Sequence, residues 1–219
     1  MGQGADNGEA PGGVGGIGIR RCLWYSPHAV NATDARLRWE EISRRRIASS
    51  AIFDLYETMR VSPDGRRGEF WLLDAPDWVN VVPLLRSADG EAVFVMVRQF
   101  RHGAGMITTE FPAGLVERGE EPRAAAAREL LEETGYRAGT LTPLGKVQPN
   151  PAFMGNWCHS FLAEDLVPAD GGRQDALELM DASVLPVREV QTRMGKGEYV
   201  NSLALVSLHL YHRAIAERA

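Results

Sequence analysis

The chain of 219 residues holds only two cysteines and two lysines, carries no excess of positive charge, and lacks any apolar run long enough to cross a membrane. Each shortage excludes something. Cys22 and Cys158 lie far apart and without metal-type spacing, so neither a disulfide framework nor a zinc cluster is expected, and a reducing compartment suits them. A membrane span needs about 18 consecutive apolar residues, and none occurs; the first residues also lack the basic-then-apolar pattern of a secretory signal. The cytoplasm is the expected location. A formal net charge of −5 leaves no basic stripe for a phosphate backbone, so neither a nucleic acid nor a membrane surface is an expected partner. With Lys146 and Lys196 the only lysines, arginine carries nearly all of the positive charge.

What remains reads as a globular chain. Hydrophobic residues at 44% and charged ones at 24% suffice for a buried core, and the length suits one good-sized domain with a small extra sheet. Residues 1–16, MGQGADNGEAPGGVGG, hold little that could pack and read as a disordered Gly-rich tail. Residues 17–75 read as an N-terminal extension with an accessory β-hairpin. Within it, 34–46 is expected as a short polar helix anchored by Trp39. Segments 51–61 and 68–73 flank Ser62-Pro63-Asp64-Gly65, which puts Pro and Gly where a β-turn needs them. Ile52, Leu55, Tyr56, Phe70 and Leu72 are expected to form one apolar face of that hairpin.

Residues 76–219 read as the main domain. Segments 79–85 and 92–98 form a second hairpin, 108–111 a short strand, and 141–147, 157–163 and 177–182 further strands. Helices over 186–194 and 202–217 close the chain. Strands, one central helix, more strands and a terminal helix make an α+β protein, an α/β/α sandwich around a mixed sheet.

The central helix lies in residues 114–136, GLVERGEEPRAAAARELLEETGY, the most informative stretch of the chain. Pro122 suits a first helical turn, where its missing N–H costs nothing, and Gly135 suits the position just past the end. At about 100° per residue, Glu129, Glu132 and Glu133 fall within an arc of roughly 100°, and Ala124, Ala127, Leu131 and Thr134 group opposite. The helix is therefore expected to bury the small-residue face and to present three carboxylates. Like charges one turn apart repel by a few tenths of a kcal/mol per pair. A hard cation removes that penalty, since Mg²⁺ favours carboxylate oxygen and keeps several waters. Arg128, one turn before Glu132, can neutralise and orient it.

Gly114, Glu120, Arg128, Glu129, Glu132, Glu133 and Gly135 stand in the pattern G-x5-E-x7-R-E-x2-E-E-x-G, with Leu130 in the apolar slot after Glu129. This resembles the signature of the Nudix hydrolases, which implies the Nudix sandwich and cleavage of a pyrophosphate linked to a nucleoside. It also implies a divalent cofactor, Mg²⁺, with Mn²⁺ able to take its place. Glu129 and Glu133 then serve as principal metal ligands and Glu132 as the third. The backbone carbonyl of Ala113 is a ligand that the resemblance adds, and Glu120 orients the loop. An anionic substrate would be drawn by local arginines and metal, because the global field is negative.

The resemblance reaches over about residues 39–217. Val97-Arg98-Gln99-Phe100-Arg101 followed by Glu110-Phe111-Pro112-Ala113-Gly114 is similar to the ADP-ribose pyrophosphatase and nucleoside diphosphate sugar hydrolase branch. By that likeness Arg101 reaches the substrate phosphates, with Arg98 and Glu110 beside it. Pro151 and Phe153, in the loop Asn150-Pro151-Ala152-Phe153, frame the substrate. The N-terminal hairpin would build a homodimer. Two features depart from the branch: Tyr136 stands where an aliphatic residue usually ends the box, and 149–159 is not the Gly- and Ser-rich loop of some ADP-ribose enzymes. For the general base, Glu178 matches best by position, with Glu164, Asp165 and Asp181 as alternatives. His209 and His212 have metal-like spacing but no local third ligand, and read as surface or packing residues. Trp71 and Tyr56 read as packing residues that are also able to stack on a base.

Three functions fit. The first is hydrolysis of a nucleoside diphosphate sugar, ADP-ribose foremost, to AMP and ribose 5-phosphate. The second is a pyrophosphatase acting on a dinucleotide, cofactor or RNA cap. The third is a non-catalytic nucleotide-sensing domain, against which the retention of every box carboxylate argues.

Overall fold

Two sheets of unequal size make up the protein, whose computed structural model describes residues 32–169 and 179–218. The elements are α1 (Ala32–Ala35), β1 (Glu40–Ser49), β2 (Asp54–Val61), β3 (Arg67–Asp74), β4 (Trp78–Arg86), β5 (Ala92–Arg101), β6 (Met106–Glu110) and β7 (Ala113–Leu115). There follow α2 (Pro122–Thr134), β8 (Tyr136–Val147), β9 (Cys158–Pro168), β10 (Met180–Pro186), α3 (Val187–Arg193) and α4 (Ser202–Arg218). The expected tail 1–16, Cys22 and Glu178 lie outside the described residues.

β1, β2 and β3 form a three-stranded antiparallel sheet, not the two-stranded hairpin expected. The expected helix over 34–46 is likewise replaced: only Ala32–Ala35 is helical, and β1 begins at Glu40. Cross-strand ion pairs line the β1–β2 pairing, Arg45 and Arg46 of β1 meeting Glu57 and Asp54 of β2, and Arg60 of β2 meeting Glu41 of β1. Trp39 does anchor the segment, edge-on to Phe70 with ring centroids 5.3 Å apart. Leu55 and Tyr56, expected on one face, are adjacent in β2 and so point to opposite faces.

The larger sheet is mixed, in the order β10-β5-β4-β9-β8, with β6 added to β5 and β7 to β4. The β4–β9 pair is parallel, and the other pairs are antiparallel. β10 begins at Met180, three residues after the start expected for that strand. Helices cover both faces. On one, Ala125, Ala126 and Leu130 of α2 pack on Val79, Val81, Val95 and Phe161. On the other, Val190 of α3 and Ala204, Leu208 and Tyr211 of α4 pack on Val82, Phe94, Met96 and Leu162. Each fully buried Val, Leu, Phe or Met side chain here contributes about 1.5–3 kcal/mol, which holds α2 and α4 on opposite faces. No described helix is long and apolar enough to cross a membrane.

The facing of α2 corrects the sequence reading. Its buried residues are Ala125, Ala126, Leu130 and Glu133, whereas Ala124 and Ala127 are exposed. Glu133 lies one turn after Leu130 on the same stripe, so the helix brings a carboxylate to the edge of its own core contact instead of pointing all three away from it. Pro122 starts the helix, and Gly135 ends it with φ of 73°, its N–H donating to the Leu131 carbonyl. That left-handed cap favours glycine.

Candidate active site

A cleft of about 950 Å³ opens between the smaller sheet, the ends of β4 and β7, the second half of α2 and the first turn of α4. Its wall includes Asn80, Arg101, Ala113, Gly114, Arg128, Glu129, Glu132, Glu133, Met154 and Asn201. The sequence-expected carboxylates therefore meet in one place, with Ala113 and Arg101 beside them.

The backbone at 113–114 is where they converge. Glu133, buried, accepts the Ala113 N–H at 2.9 Å. Glu129 lies directly over Gly114, in space that a Cβ at that position would occupy. β7 is held here from the other side: Asn80 of β4 pairs with Ala113, and the Val81 N–H donates to the Pro112 carbonyl at 2.8 Å. The buried Asn80 amide oxygen has no hydrogen-bond partner.

Arg128 links the whole box. It donates to Glu129 at 2.8 Å, to Glu132 at 3.0 Å, and twice to Glu120 at 3.0 and 3.1 Å. A fifth hydrogen bond, of 2.9 Å, reaches the Leu115 carbonyl. Glu120 also accepts the Glu117 N–H at 3.0 Å and so closes the loop before α2. The hydrogen bonds that Arg128 donates hold the Glu120 carboxyl below the usual range, and their acceptance by Glu120, foremost among its partners, raises Arg128 above its ordinary value.

Among the described residues no three acidic, histidine or cysteine side chains close into a ready-made metal cage. The donor set nevertheless fits a hard divalent ion. Such an ion is held by one or two carboxylates with retained waters and substrate oxygens, and Glu129, Glu132, Glu133 and the Ala113 carbonyl offer only oxygen. Four carboxylates (Glu117, Glu129, Glu132 and Glu133) line the cleft against the two guanidiniums of Arg101 and Arg128, which leaves excess negative charge that a cation offsets.

The remaining expected residues are more scattered. Arg101 lines the cleft, its Nε donating at 2.6 Å to Glu110. Glu110 itself is 1% exposed and sits behind Arg101, not in the cleft. Arg98 points elsewhere and pairs with Glu198 at 3.2 Å. Pro151 and Phe153 are exposed and do not line the cleft; their loop contributes Met154 instead, docked by a hydrogen bond from the Leu73 N–H to the Phe153 carbonyl. Of the alternatives to Glu178, Glu164 is paired with Arg218 at 3.0 Å and Asp165 accepts from Thr140 at 3.1 Å, both away from the cleft. Asp181 lies in β10 opposite Arg98. His212 hydrogen-bonds Gln191 and joins no metal cluster.

Sequence reading did not single out Asn80, Met180, Asn201 or Leu203. Asn80 left a signal, a lone amide in the apolar run Trp78–Leu85. Asn201 left a weaker one, an N-cap residue type just before the expected last helix.

A family model described as the NUDIX domain matches residues 76–204. The chain is 33% identical over 152 residues to the ADP-ribose pyrophosphatase of Bacillus subtilis, covering 68% of this chain and 80% of that protein. It is 32% identical over 178 residues to the ADP-ribose pyrophosphatase of Mycobacterium tuberculosis, covering 80% and 83%. Among solved structures, one described as an ADP compounds hydrolase superposes with a TM-score of 0.73 at 22% identity, over 83% of this chain and 96% of that one. At that identity the last likeness speaks for the fold alone.

Proposed function

The chain belongs to the NUDIX family and is a pyrophosphatase of it, and from that premise we propose that it hydrolyses the pyrophosphate bond of an ADP-sugar, ADP-ribose foremost. The observation that carries the reading is the convergence of Glu129, Glu132 and Glu133 on the 113–114 backbone, in a cleft that also holds Arg101. The names of the two relatives support the choice of sugar nucleotide.

Glu129 and Glu133 would hold a divalent cation, Mg²⁺ or Mn²⁺, with Glu132 and the Ala113 carbonyl completing the set. A cation held by these residues would supply charge neutralisation at the substrate and a water of lowered pKa. Arg128, bonded to Glu120, Glu129 and Glu132, holds those carboxylates together against their mutual repulsion along the second half of α2. Glu133, by accepting the Ala113 N–H, fixes the 112–113 peptide plane that immediately precedes the carbonyl of that residue. Arg101 binds diphosphate oxygens by charge-assisted hydrogen bonds, using the donors of its fork that do not engage Glu110. Glu178 is proposed as the base that takes the proton from the attacking water; Met180, two positions later, lines the cleft.

Incubation with ADP-ribose, UDP-glucose, GDP-mannose, NADH and diadenosine polyphosphates, with Mg²⁺ and with a chelator, tests the reading. AMP and ribose 5-phosphate should form fastest from ADP-ribose, and only with the cation. Preference for a dinucleotide, or turnover undiminished by the chelator, overturns it.

A further inference from the structure

The two buried carboxylates among the described residues are Glu133, at the metal-binding face, and Glu110, which has no such role. A buried carboxylate survives only if its lone pairs are met by donors, preferably charged ones. Glu110 has three donors, each from a different part of the chain or sheet: Arg101 at the end of β5, Thr108 on its own strand at 3.2 Å, and the Asn201 side-chain amide.

Asn201 does two things with one side chain. Its oxygen accepts the N–H groups of Leu203 at 2.9 Å and Ala204 at 3.3 Å, which caps α4. Its amide nitrogen donates to Glu110 Oε2. Only a side chain with an acceptor at one corner and a donor at the other can do both, and Asn meets that demand. The segment leading to Asn201 is itself fastened to β6: the Thr109 N–H donates to the Glu198 carbonyl at 2.8 Å, and the Thr109 hydroxyl to the Glu198 carboxylate at 2.9 Å. Adjacent residues of β6 thus grip the 198–201 segment, Thr109 through Glu198 and Glu110 through Asn201.

We infer that Asn201 is a positioning residue for the reaction: through Glu110 it fixes where the Arg101 guanidinium meets the substrate diphosphate. Arg101 is partly exposed, so a long, flexible side chain must be held in place, and Glu110 is the group that holds it. Glu110 can serve as a fixed abutment only while its second oxygen is held, and Asn201 holds it from a helix anchored in the core. This rests on the reading of Arg101 as the diphosphate ligand.

Asn201→Asp separates the two tasks. Asp caps a helix as well as Asn, so α4 keeps its start, but the donor to Glu110 becomes a second carboxylate. Asn201→Ser keeps a capping oxygen and, with a side chain one atom shorter, draws the donor back from Glu110 without adding charge. Both variants, Arg101→Ala, and Asn201→Asp combined with Arg101→Ala are assayed on ADP-ribose, or on whichever sugar nucleotide the intact enzyme cleaves best. KM should rise by about tenfold in Asn201→Asp and in Asn201→Ser, the scale of one hydrogen bond to a charged group, with kcat within about threefold. In the Arg101→Ala background Asn201→Asp should raise KM no further, because the group it positions is gone. An equal rise in both backgrounds overturns the inference, as does an unchanged KM in either folded single variant of Asn201. An unchanged KM in Arg101→Ala alone instead removes the reading of Arg101 on which the inference stands. Failure of the intact enzyme to cleave any sugar nucleotide counts against the proposed substrate class, a separate result.

Discussion

The Glu129 carboxylate lies over Gly114 so closely that a Cβ on residue 114 would overlap it. The first glycine of the box thus makes room for the carboxylate end of Glu129, which any side chain at 114 would displace. Gly114→Ala should push Glu129 off its position and lower kcat by up to about a hundredfold, the penalty for misplacing a reacting group by roughly 1 Å. Circular dichroism should stay native. Turnover unchanged at saturating Mg²⁺ would show that Glu129 need not sit there.

The Arg128–Glu120 pair should make stability pH-dependent. Glu120 has its carboxyl lowered in the folded protein, so its contribution is present above the ordinary glutamate value of about 4.3 and is lost as pH falls through the lower native value. Melting temperatures of the native protein should therefore fall on acidification between about pH 5 and pH 3, and those of Glu120→Gln should fall less. Equal slopes would remove Glu120 from the account of acid stability.

Burial pushes the Cys158 thiol up to about 12, with the charge of Asp77 adding to the effect. A thiol held neutral reacts slowly. Peptide mapping after iodoacetamide treatment at about pH 8 should find Cys158 unmodified in the native protein and modified in urea. Rapid native labelling would contradict its burial.

The box was readable because its chemistry is local: one loop and one helix supply the carboxylates, and the helix boundaries announce themselves through Pro122 and Gly135. Which side of α2 meets the sheet was not readable, because periodicity fixes relative angles and leaves the docking face open. Glu133 could be recognised as buried only once Leu130 and Ala126 were seen against Val79 and Val81. β1 escaped because its sequence, EEISRRRIAS, shows no alternation, its residues being almost all exposed and held by ion pairs to β2. The contact of Asn201 with Glu110 spans 91 residues and has no local trace at all.

The three-stranded sheet leaves apolar side chains uncovered on both faces, since Phe70 at 40% and Trp71 at 51% exposure are neighbours in β3 and point opposite ways. Two-fold homodimers are the commonest soluble assembly, and a second copy would cover such a sheet. Light scattering at micromolar concentration should give twice the chain mass of 24.1 kDa. The monomer mass would refute the dimer.

The central claim is that the carboxylate face of α2 carries the chemistry, and Glu133→Gln tests it most directly. The substitution keeps size and an oxygen to accept the Ala113 N–H, and removes one charge from the proposed metal-binding face. Turnover of ADP-ribose with Mg²⁺ should fall by at least about a hundredfold while the melting temperature stays close to that of the intact protein. A folded Glu133→Gln enzyme with near-normal turnover would contradict the assignment of this face as the catalytic centre.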